Sequence, residues 1–323
     1  MSKHIIFIHG RGTKPKKSVK EKLVKKCLVA GLNKINADVA RGVDENKIKT
    51  TIVYYGDILN RILVNADPQL KKSLVEIDGQ WYEPDDRYDE NLDKLLSRSS
   101  FTMEDYHKLL GDEKDTRVLD DVARIVSPVM SLFGLSKTII PKLLPDLGAY
   151  LYSRNIGEGS AIRERLQTPL KQALIDGDDI AIVSHSMGCM IAYDVLWKFS
   201  RMSEYRELHD KKISLWLTLG SPLGEPAVQE SLYDSNEPQD GKYPSNIRQW
   251  QNISATDDFV AHDGSIVDDF NEMIRSKLID KIEDIKPRIY NFWVGSEGSN
   301  PHKLYGYLSH PDVAEKIIKW IQG

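Results

Sequence analysis

The residues with the clearest chemical potential are Ser184-His185-Ser186-Met187-Gly188, which follow the short apolar run Ile180-Ala181-Ile182-Val183 and precede a segment with helical spacing. A serine hydroxyl attacks a carbonyl carbon poorly unless it is lifted clear of the backbone, set beside a base and aimed at a carbonyl whose oxygen meets N–H donors. A sharp strand-to-helix turn supplies that arrangement. It demands small residues two before and two after the nucleophile, where strand and helix nearly touch. Ser184 and Gly188 keep that size rule, with serine standing where glycine is usual. The competing reading makes Ser186 an ordinary helix N-cap, a position that serine favours.

A base has to reach Ser186, and four histidines compete. His185 is adjacent to the nucleophile, so its side chain should diverge from it. His9 belongs to His9-Gly10-Arg11-Gly12, the loop after the first apolar run, and there it braces the backbone. His302 sits in Gly298-Ser-Asn-Pro-His-Lys-Leu, between the last expected strand and the terminal helix, with Pro301 stiffening the approach. His302 is the expected base, and His310, at the start of the terminal helix, is the fallback.

An acid must orient the imidazole and stabilise its cationic form. The turn Ser254-Ala-Thr-Asp-Asp-Phe-Val-Ala-His-Asp-Gly offers Asp257, Asp258 and Asp263. Asp258 is preferred, because Phe259-Val260 makes an apolar return that would hold its carboxylate inward. Asp257, Asp258, His262 and Asp263 also suggest a metal site, but no second ligand cluster or HExxH-type helix accompanies them, so no metal is expected. For the oxyanion, the natural donors are the N–H of Met187 and that of Arg11 or Gly12, with Arg11 placed first. Gly10-Arg11-Gly12-Thr13-Lys14 lacks the remaining elements of a phosphate loop, so a nucleotide site is disfavoured and no cofactor is expected.

These residues need a frame. Short apolar runs at 4–8, 51–55, 179–183, 213–219, 247–253 and 288–294 alternate with helical patterns, the mark of a mainly parallel sheet covered on both faces. The expected fold class is α/β, doubly wound, with about six strands. Residues 17–35 read as an amphipathic helix with Val19, Leu23, Cys27 and Ala30 inward, and Lys16, Lys17, Lys20, Lys22, Lys25 and Lys26 on the solvated face. Those lysines either remain solvated or attract an anionic substrate or lipid headgroup. Residues 58–156 interrupt the alternation. They hold an acidic stretch from Asp78 to Asp93, read as an exposed loop, and a more apolar segment with Val129, Leu132, Phe133, Ile140, Leu143 and Leu144 at helical spacing. That segment is either a helix packed on the domain or a lid over an acyl pocket. The expected organisation is a core of residues 1–57 and 157–323 with 58–156 as an insertion.

Bulk composition narrows the function. At 323 residues with 41% apolar and 28% charged side chains, the chain suits one sizeable core plus an insertion. A formal net charge of -4 gives no global pull toward nucleic acid. Two cysteines, Cys27 and Cys189, do not make a disulfide framework. The N-terminal apolar core is too short for a signal peptide or a span, so a soluble cytoplasmic protein without a transmembrane segment is expected. Oligomeric state is not legible.

The order Ser, Asp, His, with a strand-HG loop and a small-x-Ser-x-Gly elbow, resembles the alpha/beta-hydrolase fold over residues 1–57 and about 157–323. Starting directly at the strand before the HG loop looks like the minimal members of that fold. Ser184 to Gly188 and Leu219-Gly220-Ser221-Pro222-Leu223 look most like its lipase and esterase branch, which includes GPI-inositol deacylase-like and lecithin acyltransferase-like proteins. The resemblance implies hydrolysis of a small-molecule or lipid carboxylic ester through an acyl-enzyme on Ser186. An acyltransferase with the same triad, or a hydrolase-like module that only binds, are the alternatives.

Overall fold

The computed structural model describes residues 2–112, 144–152, 157–233, 235–261, 264–296 and 298–323. Its centre is a six-stranded, wholly parallel sheet: β1 (Lys3–Ile8), β2 (Lys49–Val53), β3 (Asp179–His185), β4 (Ile213–Leu219), β5 (Ile247–Ile253) and β6 (Lys281–Asp284). The strands lie in the order β2-β1-β3-β4-β5-β6. Both faces are covered, which is why β1, β3 and β4 are largely apolar. In β1, Ile6 and Ile8 enter one core while Ile5 and Phe7 enter the other, and in β3 Ile180 and Ile182 oppose Ala181 and Val183.

The helices used below are α1 (Lys17–Asn33), α2 (Gly56–Ala66), α3 (Asp89–Leu96), α4 (Pro145–Tyr152), α5 (Glu158–Asp176), α6 (Met187–Arg201), α7 (Val267–Arg275), α8 (Leu304–Ser309) and α9 (Pro311–Gln322). Residues of α2, α4, α5, α6 and α7 pack on one face of the sheet, and those of α1, α3, α8 and α9 on the other. Chain direction across the sheet reverses between β1 and β3. β2 lies on one side of β1, and the later strands are laid down on the other. Loops leaving the carboxyl ends of β1 and β3 therefore diverge and open a crevice. The register Ile8↔Ser184 sets those two ends side by side.

Three sequence readings are corrected. Residues 288–294 are not a strand of the sheet; the sixth strand is Lys281–Asp284, and only a single bridge, Ala255↔Ile289, extends the pairing. An edge strand needs little apolar side chain, and Ile282 is the one buried residue of β6, so no apolar run marked it. The apolar content of 288–294 serves packing instead: Ile289, Phe292 and Trp293 are buried among α1, α8 and α9 residues. The acidic stretch is not a plain exposed loop. It contains an antiparallel hairpin of Val75–Ile77 with Gln80–Tyr82, then α3, and Glu83 is buried. Finally, Lys20 does not belong to a solvated face; it is 4% exposed and lies on the inward stripe of α1 with Leu23, Val24, Cys27 and Leu28. Among the described residues, no helix is long and apolar enough to cross a membrane.

Candidate active site

Ser186 stands between β3 and α6 with φ 55° and ψ -129°, a conformation that L-residues avoid. Its own N–H donates to the Leu219 carbonyl at 3.2 Å, and its carbonyl accepts the Cys189 N–H at 2.9 Å, which pins the turn from both sides. The small-residue rule has a visible cause. A β-carbon at Gly188 would lie 2.7 Å from the His9 carbonyl oxygen and 2.8 Å from that of Ile8, so a side chain there would force α6 away from β1. Serine at 184 is accommodated because its hydroxyl has partners: it accepts from Trp216 Nε1 at 2.9 Å and donates to Cys189 Sγ at 3.3 Å. Gly10 gives the nucleophile room from the opposite side, since a β-carbon there would be 2.8 Å from Ser186 Cβ.

His302 and Asp258 are brought together. Nδ1 of His302 is 2.9 Å from both carboxylate oxygens of Asp258, which is 2% exposed. A carboxylate only accepts, so Nδ1 carries the hydrogen and Nε2 is the basic nitrogen. The carboxylate is itself held: Oδ1 accepts the Val260 N–H at 3.0 Å, and Oδ2 accepts the Tyr307 hydroxyl at 2.6 Å, which in turn accepts the Ala255 N–H at 2.8 Å. The expected anchor differs in part, because Val260 is buried but Phe259 points outward at 36% exposure. Asp257 is exposed, with φ 62°. Gly220 closes over the pair, since a β-carbon there would be 2.7 Å from Asp258 Oδ2 and 3.1 Å from His302 Nδ1.

Asn291 fixes the loop that carries His302. Its Nδ2 donates to the carbonyls of Pro301 at 2.7 Å and Lys303 at 2.9 Å, either side of the imidazole, while Asn300 Oδ1 accepts the His302 N–H at 3.0 Å. His185 adds a third tie, because its Nε2 donates to the His302 carbonyl at 2.7 Å. Burial first, and the neighbouring His302 second, hold the His185 imidazole well below the usual histidine range, so it stays neutral. Ser186 and His302 line one cavity, and no hydrogen bond joins the two side chains among the described residues. Apo sites commonly tighten that contact only around substrate.

The other late histidine is elsewhere. His310 caps α9, with Nδ1 accepting the Asp312 N–H at 3.2 Å, and packs edge-on against Phe101. His9 braces the β1 loop: it stacks on Tyr55 with ring centroids 4.0 Å apart, and Nδ1 donates to the Gly10 carbonyl at 2.8 Å.

The loop after β1 is unusually well secured. Asp146, fully buried at the start of α4, accepts from Arg11 Nη2 at 2.8 Å and from the Gly12 N–H at 2.9 Å. Burial alone would raise its pKa; the Arg11 guanidinium and these hydrogen bonds outweigh it and hold the carboxyl below the usual range. The Gly12 N–H is therefore engaged, which favours Arg11 over Gly12 as the donor from this loop. Lys14 Nζ donates to the carbonyls of Arg11, Gly12 and Thr13 at 2.6, 3.0 and 3.0 Å.

These residues open on a cavity of about 240 Å³. Leu147, Met187, Met190, Pro222, Val228 and Val260 line its apolar part, while Lys14, Lys20, Lys303, Tyr88 and Tyr305 line the remainder. Of the metal-site reading, His262 and Asp263 lie outside the described residues, as does the apolar segment from Ser127 onward read as a helix or lid, apart from Leu144 and Pro145 at its end. Asn291, Tyr307, Asp146 and Lys20 were not found by sequence reasoning. Lys20 alone had left a signal, being spaced three and four residues before Leu23 and Val24 on the inward stripe. In comparisons with known proteins, no family model matches the chain and no curated protein is significantly similar to it.

Proposed function

We propose that the protein is a serine hydrolase of carboxylic esters, built in the manner of the alpha/beta-hydrolases. The observation that carries this reading is the strained Ser186 turn opening on the same cavity as His302, whose Nδ1 is held by buried Asp258. In the first half-reaction, Ser186 Oγ attacks the ester carbonyl and His302 Nε2 takes its proton. The N–H groups of Met187 and Arg11 meet the developing oxyanion, and the imidazolium returns the proton to the leaving alcohol as the C–O bond breaks. Water, deprotonated by the same nitrogen, then splits the acyl-enzyme into acid and free serine. Asp258 stays ionised throughout and stabilises the cationic ring.

The apolar lining of Leu147, Met187, Met190 and Val228 suits an acyl chain, in keeping with a lipase or esterase. A reducing, cytoplasmic setting belongs to the same reading, because Cys27 and Cys189 are buried, unpaired thiols.

The test pairs chromogenic esters of graded chain length with a fluorophosphonate probe on wild type and Ser186→Ala. Losing the nucleophile should lower turnover by about 10⁴-fold or more and abolish labelling, with an unchanged melting temperature. A folded Ser186→Ala variant that still hydrolyses the esters refutes the proposal. An alcohol acceptor that outcompetes water would reassign the protein as an acyltransferase; no labelling of wild type would leave a binding module.

A further inference from the structure

We propose that the cationic part of the cavity is a subsite for an anionic oxygen group, a carboxylate or a phosphate, carried by the ester substrate; this rests on the hydrolase reading of Ser186. Three ammonium groups, from Lys14, Lys20 and Lys303, line the cavity that also holds Ser186 and His302. They are not equivalent. Lys14 spends its three N–H bonds on the carbonyls of residues 11 to 13 and so belongs to the loop's own architecture. Lys20 differs. At 4% exposure its Nζ donates to one neutral acceptor, the Tyr305 hydroxyl at 3.1 Å, and rests 4.4 Å from the centre of that ring. Among the described residues it makes no ion pair.

Glu83, whose charge acts on Lys20, is already committed. Glu83 accepts from the hydroxyls of Thr13 and Tyr88, each at 2.7 Å, and pairs with Arg87 at 3.2 Å. Burial, and then repulsion from Lys14 and Lys303, push the Lys20 ammonium well below its ordinary range. An aromatic face and one hydroxyl cannot replace the water that a buried ammonium has lost. An entering anion would supply both the countercharge and the missing acceptors, in a site where such bonds are short and strong. Lys303 extends the same field to the base, because it follows His302 directly and its Nζ lies 4.4 Å from the centre of the Tyr88 ring. The apolar residues across the cavity would take the uncharged part of the ester.

Calorimetric titration of full-length Ser186→Ala reads binding without turnover. The probes are monomethyl glutarate, butyryl glycerol 3-phosphate and the uncharged dimethyl glutarate. At least one anionic ester is expected to bind about 10-fold or more tighter than the neutral one. Preference for the glutarate places the anion on the acyl side, and preference for the glycerophosphate places it on the alcohol side. Adding Lys20→Met should cut that preference to about 3-fold or less, with Lys303→Met as the second variant if the first does not fold. Equal binding of charged and neutral esters by Ser186→Ala overturns the subsite. Wild-type turnover of the same compounds is read separately: hydrolysis without anion preference defeats only this inference. Anion-selective binding with no hydrolysis defeats the reading of Ser186 and leaves an anion site.

Discussion

A β-carbon on Gly306 would overlap Oδ1 of Asn291, so the amide that grips the His302 loop needs a bare backbone facing it. Gly306→Ala should displace Asn291, release the carbonyls of Pro301 and Lys303, and let the imidazole drift. Misplacing a catalytic group by about 1 Å costs on the order of 10²-fold in rate, and that loss is expected in kcat on a chromogenic ester. Wild-type kcat in a folded Gly306→Ala protein would show that the clamp does not position His302.

Strain at Ser186 makes a second expectation, this time in stability. A non-glycine residue held at positive φ stores on the order of 1–3 kcal/mol, against a cost of about 0.5–1 kcal/mol for the extra unfolded-state freedom of glycine. Ser186→Gly should therefore be inactive yet melt at or above the wild-type temperature, whereas Ser186→Ala, which keeps the β-carbon, should melt with wild type. A clear fall in melting temperature for the glycine variant would mean the turn is relaxed.

Asp146 joins α4 to the loop after β1 through charge as well as geometry. Asp146→Asn keeps the shape but removes the carboxylate that Arg11 and the Gly12 N–H share. Because Arg11 retains some access to water, the expected loss is about 1–3 kcal/mol in urea denaturation, with ester turnover falling as the Arg11 N–H loses its fixed direction. The folded-state pKa of Asp146 is lowered, so its contribution is present above the ordinary carboxylate range and is lost as pH falls through the lowered value. The Asn variant should show a shallower acid limb at that end, and an unchanged limb would contradict the assignment.

Buried histidines shape stability at milder acid pH. Burial carries His310 down to about 3. The unfolded chain takes up this proton near its ordinary pKa while the folded chain refuses it, so stability is full above about 6.5 and declines as pH falls from there toward 3. His310→Asn keeps an acceptor for the Asp312 N–H and removes the titration. Between pH 7 and pH 5 the wild type should lose about 2 kcal/mol relative to this variant in paired urea melts. Parallel losses in both proteins would locate the acid sensitivity elsewhere, His9 and His185 being the next groups held down by burial.

The strands β1, β3 and β4 were legible because each is buried on both faces and therefore largely apolar, and the Ser186 turn because its neighbours are forced to be small. The edge strand at 281–284 was not, since one covered face asks for a single Ile282. Asp258 and His302 could be ranked from loop position and chain order. The residues that hold them could not: Asn291 and Tyr307 act across folded contacts, and an Asn or Tyr in sequence carries no mark of the carbonyl or carboxylate it will meet. Lys20 shows the opposite failure, where residue type overrode position. A lysine among lysines was assigned to solvent although its spacing placed it with Leu23 and Cys27.

Gly220 leaves only backbone above the Asp258–His302 pair, and Asp258 is almost fully enclosed. The imidazole also lines the cavity, where it is open to solvent. Whatever molecule occupies the cavity becomes the stopper, and how dry the proton relay runs is decided by the fit of each ligand rather than by the protein in isolation.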